Sequence, residues 1–178
     1  MSARFRHVLV VGGSGMLAGC CRGLLAISDH VSVMARDEAR IRAIAPEVIP
    51  RVCDYNDAAA VAAALNGIQS DLIVAWIHGA MPEPRRALAQ RVRPGGRFVQ
   101  VLGSAHGDPS HPDRLERAKA AVAGLSIAYQ AVVLGFVRDG AASRWLTDDE
   151  ISSGVLDAIA SGAPLTIVGT VEPWSARP

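Results

Sequence analysis

Seven short apolar runs, rich in β-branched residues, alternate along this chain with stretches of helical composition. The runs occupy residues 7–11, 31–35, 48–53, 72–77, 97–102, 126–134 and 165–168. Helices are predicted between them at residues 16–27, 37–44, 57–65, 84–92, 113–123 and 148–160. Because the strands are apolar on both faces, they suit a parallel sheet that helices cover on both sides. Right-handed crossovers then predict an α/β fold with a doubly wound parallel sheet of about seven strands.

Composition favours one domain spanning residues 1–178 and excludes several classes of partner. Half of the residues are hydrophobic, which is incompatible with a disordered chain. The net charge of +1 gives no reason to expect nucleic acid or a membrane surface as a partner. The apolar run 8–11 near the N-terminus is too short for a signal sequence or a membrane span, so we expect a cytoplasmic protein.

The three cysteines do not form a C-x-x-C pair, so neither a metal site nor a redox motif is expected. We interpret Cys20, Cys21 and Cys53 as reduced thiols that fill the core.

The start of the last helix carries a clear local signal. Residues 147–150 read Thr-Asp-Asp-Glu, which predicts a capping box at the start of the last helix.

The first strand runs directly into a glycine-rich turn with small residues at positions 12, 15 and 18. The first of these allows a tight turn, the second lets a pyrophosphate approach the backbone, and the third lets the helix pack on the strand. Amides at the helix N-terminus favour the phosphates. We therefore predict a Rossmann-type nucleotide site, with a structural turn as the alternative. Its predicted contacts are Gly12, Ser14, Gly15, Met16 and Leu17.

The end of the second strand distinguishes between the two nicotinamide cofactors. An NAD site usually has an acidic residue there for the ribose hydroxyls, whereas this chain has Arg36. A guanidinium is a fixed cation whose planar fork suits a 2′-phosphate. NADP is therefore predicted in preference to NAD. The neighbouring Asp37 weakens this inference, and a solvated Arg36 is the alternative.

Later segments follow the order of the motifs of one known family. Asp54 follows the third strand, residues 75–80 span the end of the fourth, and Ser104 follows the fifth. Residues 127–137, 144–151 and 166–169 correspond to the motifs that come next in that family's order. With the glycine loop, these segments make the chain similar to the short-chain dehydrogenase/reductase family over nearly its whole length.

The resemblance implies functions for individual residues and for the assembly. It implies a catalytic role for Ser104 and an assembly that is a homo-dimer or tetramer. It also implies cofactor contacts for Asp54, Gly79, Lys119, Gly135 and Val137.

The resemblance fails at the catalytic helix. The family pairs a tyrosine with a lysine four residues later. Lys119 is the only lysine of the chain, and Leu115 stands where that tyrosine would be. The only tyrosines are Tyr55 and Tyr129, and Tyr129 is followed four residues later by Val133. The usual proton relay is therefore not expected, and Lys119 is either a ribose contact or a solvated side chain.

Other residues are candidates for the catalytic proton chemistry. Ser104 and His106 follow the fifth strand, on the edge where ligands bind in such sheets, and histidine titrates near neutral pH. His78 follows the fourth strand. Tyr129 is a further candidate, provided that a neighbouring cation lowers its pKa. Loops 78–84, 103–112 and 135–146 are expected to form the substrate pocket.

Two hypotheses of function remain. The first is an NADP-dependent oxidoreductase that reduces a small carbonyl or imine compound with a non-standard proton donor. The second is a non-catalytic NADP-binding sensor or partner-binding protein, suggested by the missing tyrosine. A methyltransferase is disfavoured, because it would require an acidic residue where Arg36 stands.

Overall fold

A computed structural model describes residues 5–78 and 82–178 and contains a seven-stranded parallel sheet. The strands of this sheet are β1 (Phe5–Val11), β2 (Ser28–Ala35), β3 (Ile49–Val52), β4 (Ser70–Trp76), β5 (Val92–Leu102), β6 (Ala128–Leu134) and β9 (Leu165–Val168). Two further strands, β7 (Phe136–Asp139) and β8 (Ala142–Trp145), form a separate pair. The helices are α1 (Ala18–Leu25), α2 (Glu38–Arg42), α3 (Ala58–Ala64), α4 (Pro82–Ala89), α5 (Arg114–Ala120) and α6 (Asp148–Ser161). Short 3-10 helices lie at Ser104–Gly107 and Trp174–Ala176.

The strand order is β3-β2-β1-β4-β5-β6-β9, which confirms the predicted doubly wound α/β fold. The order reverses between β1 and β4, and ligands bind at the carboxyl ends of strands at such a switch point. Gly12 and Trp76 lie at this point, at the ends of the two strands.

Two layers of core cover the sheet, one on each face. Val8 and Val10 of β1 pack with α1 and α6 on one face, and Leu9 and Val11 pack with α3 and α4 on the other. A smaller cluster beneath α5 includes Ala131 and Val133 of β6. The alternation along β1 shows why the strands are apolar throughout, since both faces of the sheet are buried.

Helix starts agree closely with the sequence. Asp37 and Asp57 cap α2 and α3 by accepting backbone N–H bonds. At α6, the Thr147 hydroxyl accepts from the Glu150 N–H while the Glu150 carboxylate accepts from the Thr147 N–H, which confirms the capping box. All three cysteines are buried and unpaired.

Several boundaries differ from the prediction. The first helix begins at Ala18, because residues 12–17 form a longer turn than expected. The strand predicted at 97–102 begins earlier, at Val92, and contains an irregularity where its register with β4 shifts. The predicted loop 135–146 contains the antiparallel hairpin of β7 and β8, which turns at Gly140 with a φ of 60°. Across the described residues, none of the helices is long and apolar enough to span a bilayer.

Candidate cofactor and active site

The glycines of the loop differ in the space around them. Gly12 has a φ of 74°, and a Cβ there would lie 2.6 Å from the Trp76 carbonyl oxygen. A Cβ at Gly13 would lie 2.9 Å from the Cys21 sulfur. At Gly15, by contrast, a Cβ would meet nothing within 4 Å. The backbone at Gly15 is therefore open to a ligand, while Gly12 and Gly13 are required by packing.

Helix α6 fixes the far end of this loop. The Ser152 hydroxyl donates to the Met16 carbonyl oxygen at 2.8 Å, and Ser152 itself is buried. Leu17, predicted as a cofactor contact, has a fully buried side chain in the core. The residue as a whole, backbone included, has no exposed surface.

A cavity of about 290 Å³ opens over the loop and extends to the end of β2. Its lining contains two guanidinium groups, Arg36 at the end of β2 and Arg40 in α2. Among the residues that the structure describes, neither forms an ion pair. The lining residues are Gly12, Ser14, Gly15, Met16, Ala35, Arg36, Arg40, Tyr55, Trp76 and His78.

The acidic neighbour of Arg36 has a structural task. Asp37 accepts a hydrogen bond from the Arg40 backbone N–H at 3.1 Å as the N-cap of α2. Its carboxylate keeps its charge at the helix start but does not line the cavity, whereas Arg36 and Arg40 do. The cavity wall next to β2 is basic as a result.

His78 lies in the same cavity, in contact with Trp76. The Trp76 indole Nε1 donates to His78 Nε2 at 2.8 Å, and the two rings meet edge to face at 4.8 Å. Since Nε2 accepts, the proton of a neutral His78 is on Nδ1. The structure thus places His78, a predicted proton-transfer candidate, beside the glycine loop.

A second cavity, of about 200 Å³, lies along the carboxyl ends of β4, β5 and β6. Trp76 lines both cavities, so they are neighbours along the sheet edge. The second cavity is lined by Trp76, Gly103, Ser104, Leu134, Gly135, Trp145, Leu146 and Ile151. It brings together two predicted residues, Ser104 and Gly135, that are distant in sequence.

Gly135 has little room for any side chain. A Cβ there would lie 2.1 Å from the Thr170 carbonyl oxygen, because the segment after β9 runs alongside it. Val137, also predicted as a cofactor contact, pairs with Arg144 in the hairpin and does not line this cavity.

Ser104 is held by a residue that the sequence did not suggest. Arg177 Nε donates to the Ser104 Oγ at 3.0 Å. The Arg177 guanidinium lies 5.1 Å from the ring centroids of both Trp145 and Trp174. Each contact is in the range of a cation–π interaction. The Ser104 hydroxyl accepts this bond, so its own proton remains available to a ligand in the cavity.

His106 lies beyond Ser104 in the 3-10 helix. Its Nδ1 is 3.3 Å from the Gly103 carbonyl oxygen, to which it donates. Burial lowers the pKa of His106, and the charges of Arg114 and Arg85 lower it further against the effect of the Gly103 bond. The imidazole is therefore neutral at pH 7, with Nε2 as an acceptor.

Tyr129 and Lys119 lie elsewhere. Tyr129 is the second residue of β6, about 17 Å along the strand from Leu134 at 3.3 Å per residue. Its hydroxyl donates to Gln100 Oε1 at 3.0 Å, and burial raises its pKa to about 12. Lys119 lines a separate cavity with Tyr129 and Leu115. The structure does not bring either residue to Ser104.

Two further predicted contacts are at the edges of the described site. Asp54 is exposed, and its Oδ1 accepts from the Asn56 backbone N–H at 3.0 Å. Its neighbour Tyr55 lines the glycine-loop cavity instead. Gly79 lies outside the residues that the structure describes.

Sequence reasoning missed Arg40, Tyr55, Trp76 and Arg177. Arg40 lies in the first turn of the short helix that begins just after Arg36, a position that could have suggested that both face one cavity. Trp76 ends a strand at the switch point, which was also a usable signal. No local pattern marks Arg177.

Comparison with solved structures finds this fold in short-chain dehydrogenases. The chain is similar to a short-chain dehydrogenase from Burkholderia cenocepacia in complex with NADP, with a TM-score of 0.69 and 18% identity over 96% of this chain and 91% of that chain. It is also similar to a gluconate 5-dehydrogenase from that organism in complex with NADP and tartrate, with a TM-score of 0.67 and 16% identity over 93% and 94%. A variant short-chain dehydrogenase/reductase from Serratia marcescens gives 0.67 and 17% over 95% and 98%. At these identities the comparison establishes the fold.

No protein-family model matches this sequence, and a search of curated proteins finds no significant relative.

Proposed function

We propose that the chain is an NADP-dependent oxidoreductase of the short-chain dehydrogenase type that reduces a small carbonyl or imine compound. One observation carries the proposal: Arg36 and Arg40 line the cavity over an open glycine loop, while Asp37 is engaged as a helix cap. This arrangement offers two cations to a 2′-phosphate and no acidic side chain in the cavity lining for ribose hydroxyls.

The residues present suit the rest of the cofactor. The open backbone at Gly15 leaves space for the pyrophosphate. Met16 and Ser14 border the same space, and Ser14 adds a hydroxyl donor. The neighbouring cavity at Gly135 and Ser104 would receive the nicotinamide end, with the Trp76 indole between the two sites.

When bound, NADPH supplies a hydride. Ser104 is the residue that we place against the substrate, because its hydroxyl lines the cavity and keeps a proton to donate. A cation beside a donor hydroxyl stabilises the negative charge that develops when the proton leaves. Arg177 would have this function here. His106, neutral at pH 7, is suited to accept a proton, which is the requirement in the oxidative direction.

Titration with NADPH and NADH tests the cofactor assignment. We expect NADPH to bind more tightly, and Arg36→Ala and Arg40→Ala to remove that preference by weakening NADPH alone. Arg138→Ala, on the exposed hairpin, is the matched control and should leave both affinities unchanged. Failure of both nucleotides to bind at micromolar concentration would refute the proposal, and equal binding would refute the role of Arg36.

The second candidate is a non-catalytic NADP sensor. The specific observation in its favour is that the Ser104 oxygen already accepts a bond from Arg177, in a chain with Leu115 where the family has its tyrosine. Tight NADPH binding without oxidation across a panel of carbonyls and imines would support a sensor. Turnover that Ser104→Ala abolishes would refute it.

Some predictions of the sequence stay predictions. They are a single domain, a cytoplasmic location and a homo-dimer or tetramer. Light scattering coupled to gel filtration would measure the oligomeric state.

A further inference from the structure

The Trp76 side chain lies lengthwise along the edge of the sheet where the strands end. A Cβ at Gly12, directly after β1, would lie 3.4 Å from Trp76 Cδ1. A Cβ at Gly103, directly after β5, would lie 3.8 Å from Trp76 Cη2. These two atoms are at opposite ends of the indole. Since β4 lies between β1 and β5 in the sheet, the ring reaches from one neighbouring strand to the other.

The indole therefore stands between the glycine-loop cavity and the cavity at Ser104. Among the residues that the structure describes, Trp76 alone lines both cavities. A dinucleotide is one covalent molecule, so its diphosphate has to cross from one cavity to the other when its two halves occupy them. The Trp76 ring lies on that path.

One residue, His78, holds the indole by its polar atom. Trp76 Nε1 donates to His78 Nε2 at 2.8 Å, and the two rings meet edge to face with their centroids 4.8 Å apart. An indole has no other hydrogen-bonding group, so this bond is the only polar tether of the ring. Trp76 is partly exposed and His78 is exposed. The tether thus lies at the surface, where it can open while the core stays packed.

We propose that Trp76 is a gate: its indole closes the path between the two cavities in the free protein and moves aside when a dinucleotide binds, with His78 as the latch. The inference rests on the proposed function, because only a ligand that occupies both cavities has to pass the indole. Adenosine 2′,5′-bisphosphate, which is confined to the glycine-loop cavity, does not. The latch therefore lowers the affinity for NADPH alone, by the fraction of molecules in which the gate is open.

The test compares these two ligands. Calorimetry gives the association constants of NADPH and of adenosine 2′,5′-bisphosphate for the wild type, Trp76→Ala, His78→Phe and the control Arg138→Ala. Their ratio removes any effect on the cavity that both ligands share. We expect the ratio to rise in favour of NADPH by roughly 5-fold in the first two variants, the factor that corresponds to one net hydrogen bond. Arg138→Ala should leave the ratio unchanged. His78→Phe keeps an aromatic ring beside the indole and removes only its acceptor, so it serves if Trp76→Ala does not fold.

A ratio that falls or stays unchanged in either folded variant would overturn the gate, because the indole would then be a fixed wall. A second measurement needs no ligand. The chain has three tryptophans, so the double substitution Trp145→Phe and Trp174→Phe leaves Trp76 as the only one. In that background His78→Phe should lower the time-resolved fluorescence anisotropy of Trp76, and an unchanged anisotropy would overturn the latch. If the wild type binds neither nucleotide, the proposed function fails, while the anisotropy still decides whether His78 holds the indole.

Discussion

Arg177 donates a hydrogen bond from its Nε to the Oγ of Ser104, across 73 residues of sequence. The same guanidinium lies over Trp145 of the hairpin and Trp174 of the last 3-10 helix. One side chain thus joins the segment after β5, the hairpin after β6 and the segment after β9. In the proposed enzyme this residue supplies a fixed cation to the catalytic serine.

Loss of Arg177 should release both aromatic rings. The chain has three tryptophans, and two of them contact this guanidinium, so Arg177→Ala should shift the fluorescence emission to longer wavelength and increase quenching by acrylamide. Arg42→Ala, whose guanidinium pairs with Glu38 on α2, is the control and should leave the spectrum unchanged. An unchanged spectrum in Arg177→Ala would show that the cation–π contacts do not persist in solution.

The glycine loop offers a matched pair of substitutions. Gly12→Ala should destabilise the fold, because Gly12 has positive φ and the new methyl group would lie 2.6 Å from the Trp76 carbonyl oxygen. Gly15→Ala should leave the thermal midpoint unchanged, since nothing lies within 4 Å of its Cβ. If phosphates approach that backbone, Gly15→Ala should still weaken NADPH binding roughly 10-fold or more. Unchanged NADPH affinity in a folded Gly15→Ala would place the phosphates elsewhere.

The sequence predicted the features that depend on local pattern. The sheet, the glycine loop and the capping box all follow from residues close together in the chain. The position of Tyr129 does not follow from local pattern. Tyr129 pairs with Phe98 of β5, and this pairing places Tyr129 near the amino end of β6. The contact of Arg177 with Ser104 depends on the path of the chain after β9, for which the sequence carries no periodic signal.

The half-buried His7 should contribute to stability at the opposite end of the sheet. His7 Nδ1 and Nε2 lie 2.9 and 2.8 Å from the hydroxyls of Ser70 and Ser32, which have no exposed surface. His7→Ala would leave both hydroxyls without these bonds and should cost about 1–3 kcal/mol in the free energy of unfolding. Urea denaturation measures the loss, and His30→Ala on the exposed side of β2 is the control. An equal, small loss in both variants would show that this network contributes no net stability.

The pH dependence of stability should follow from His7 and His106. Burial lowers the pKa of each, so the unfolded chain binds protons more readily than the folded one as the pH falls through about 6.5. The free energy of unfolding should therefore be flat above that pH and decrease below it, while carboxylates remain ionised down to about pH 5. Denaturation in urea between pH 5.5 and 7.5 measures this slope. His106→Gln should reduce it, because one of the two groups that take up a proton on unfolding is removed, whereas Arg138→Gln should not. A slope that is identical in His106→Gln and wild type would show that His106 titrates in the folded protein as it does in the unfolded chain.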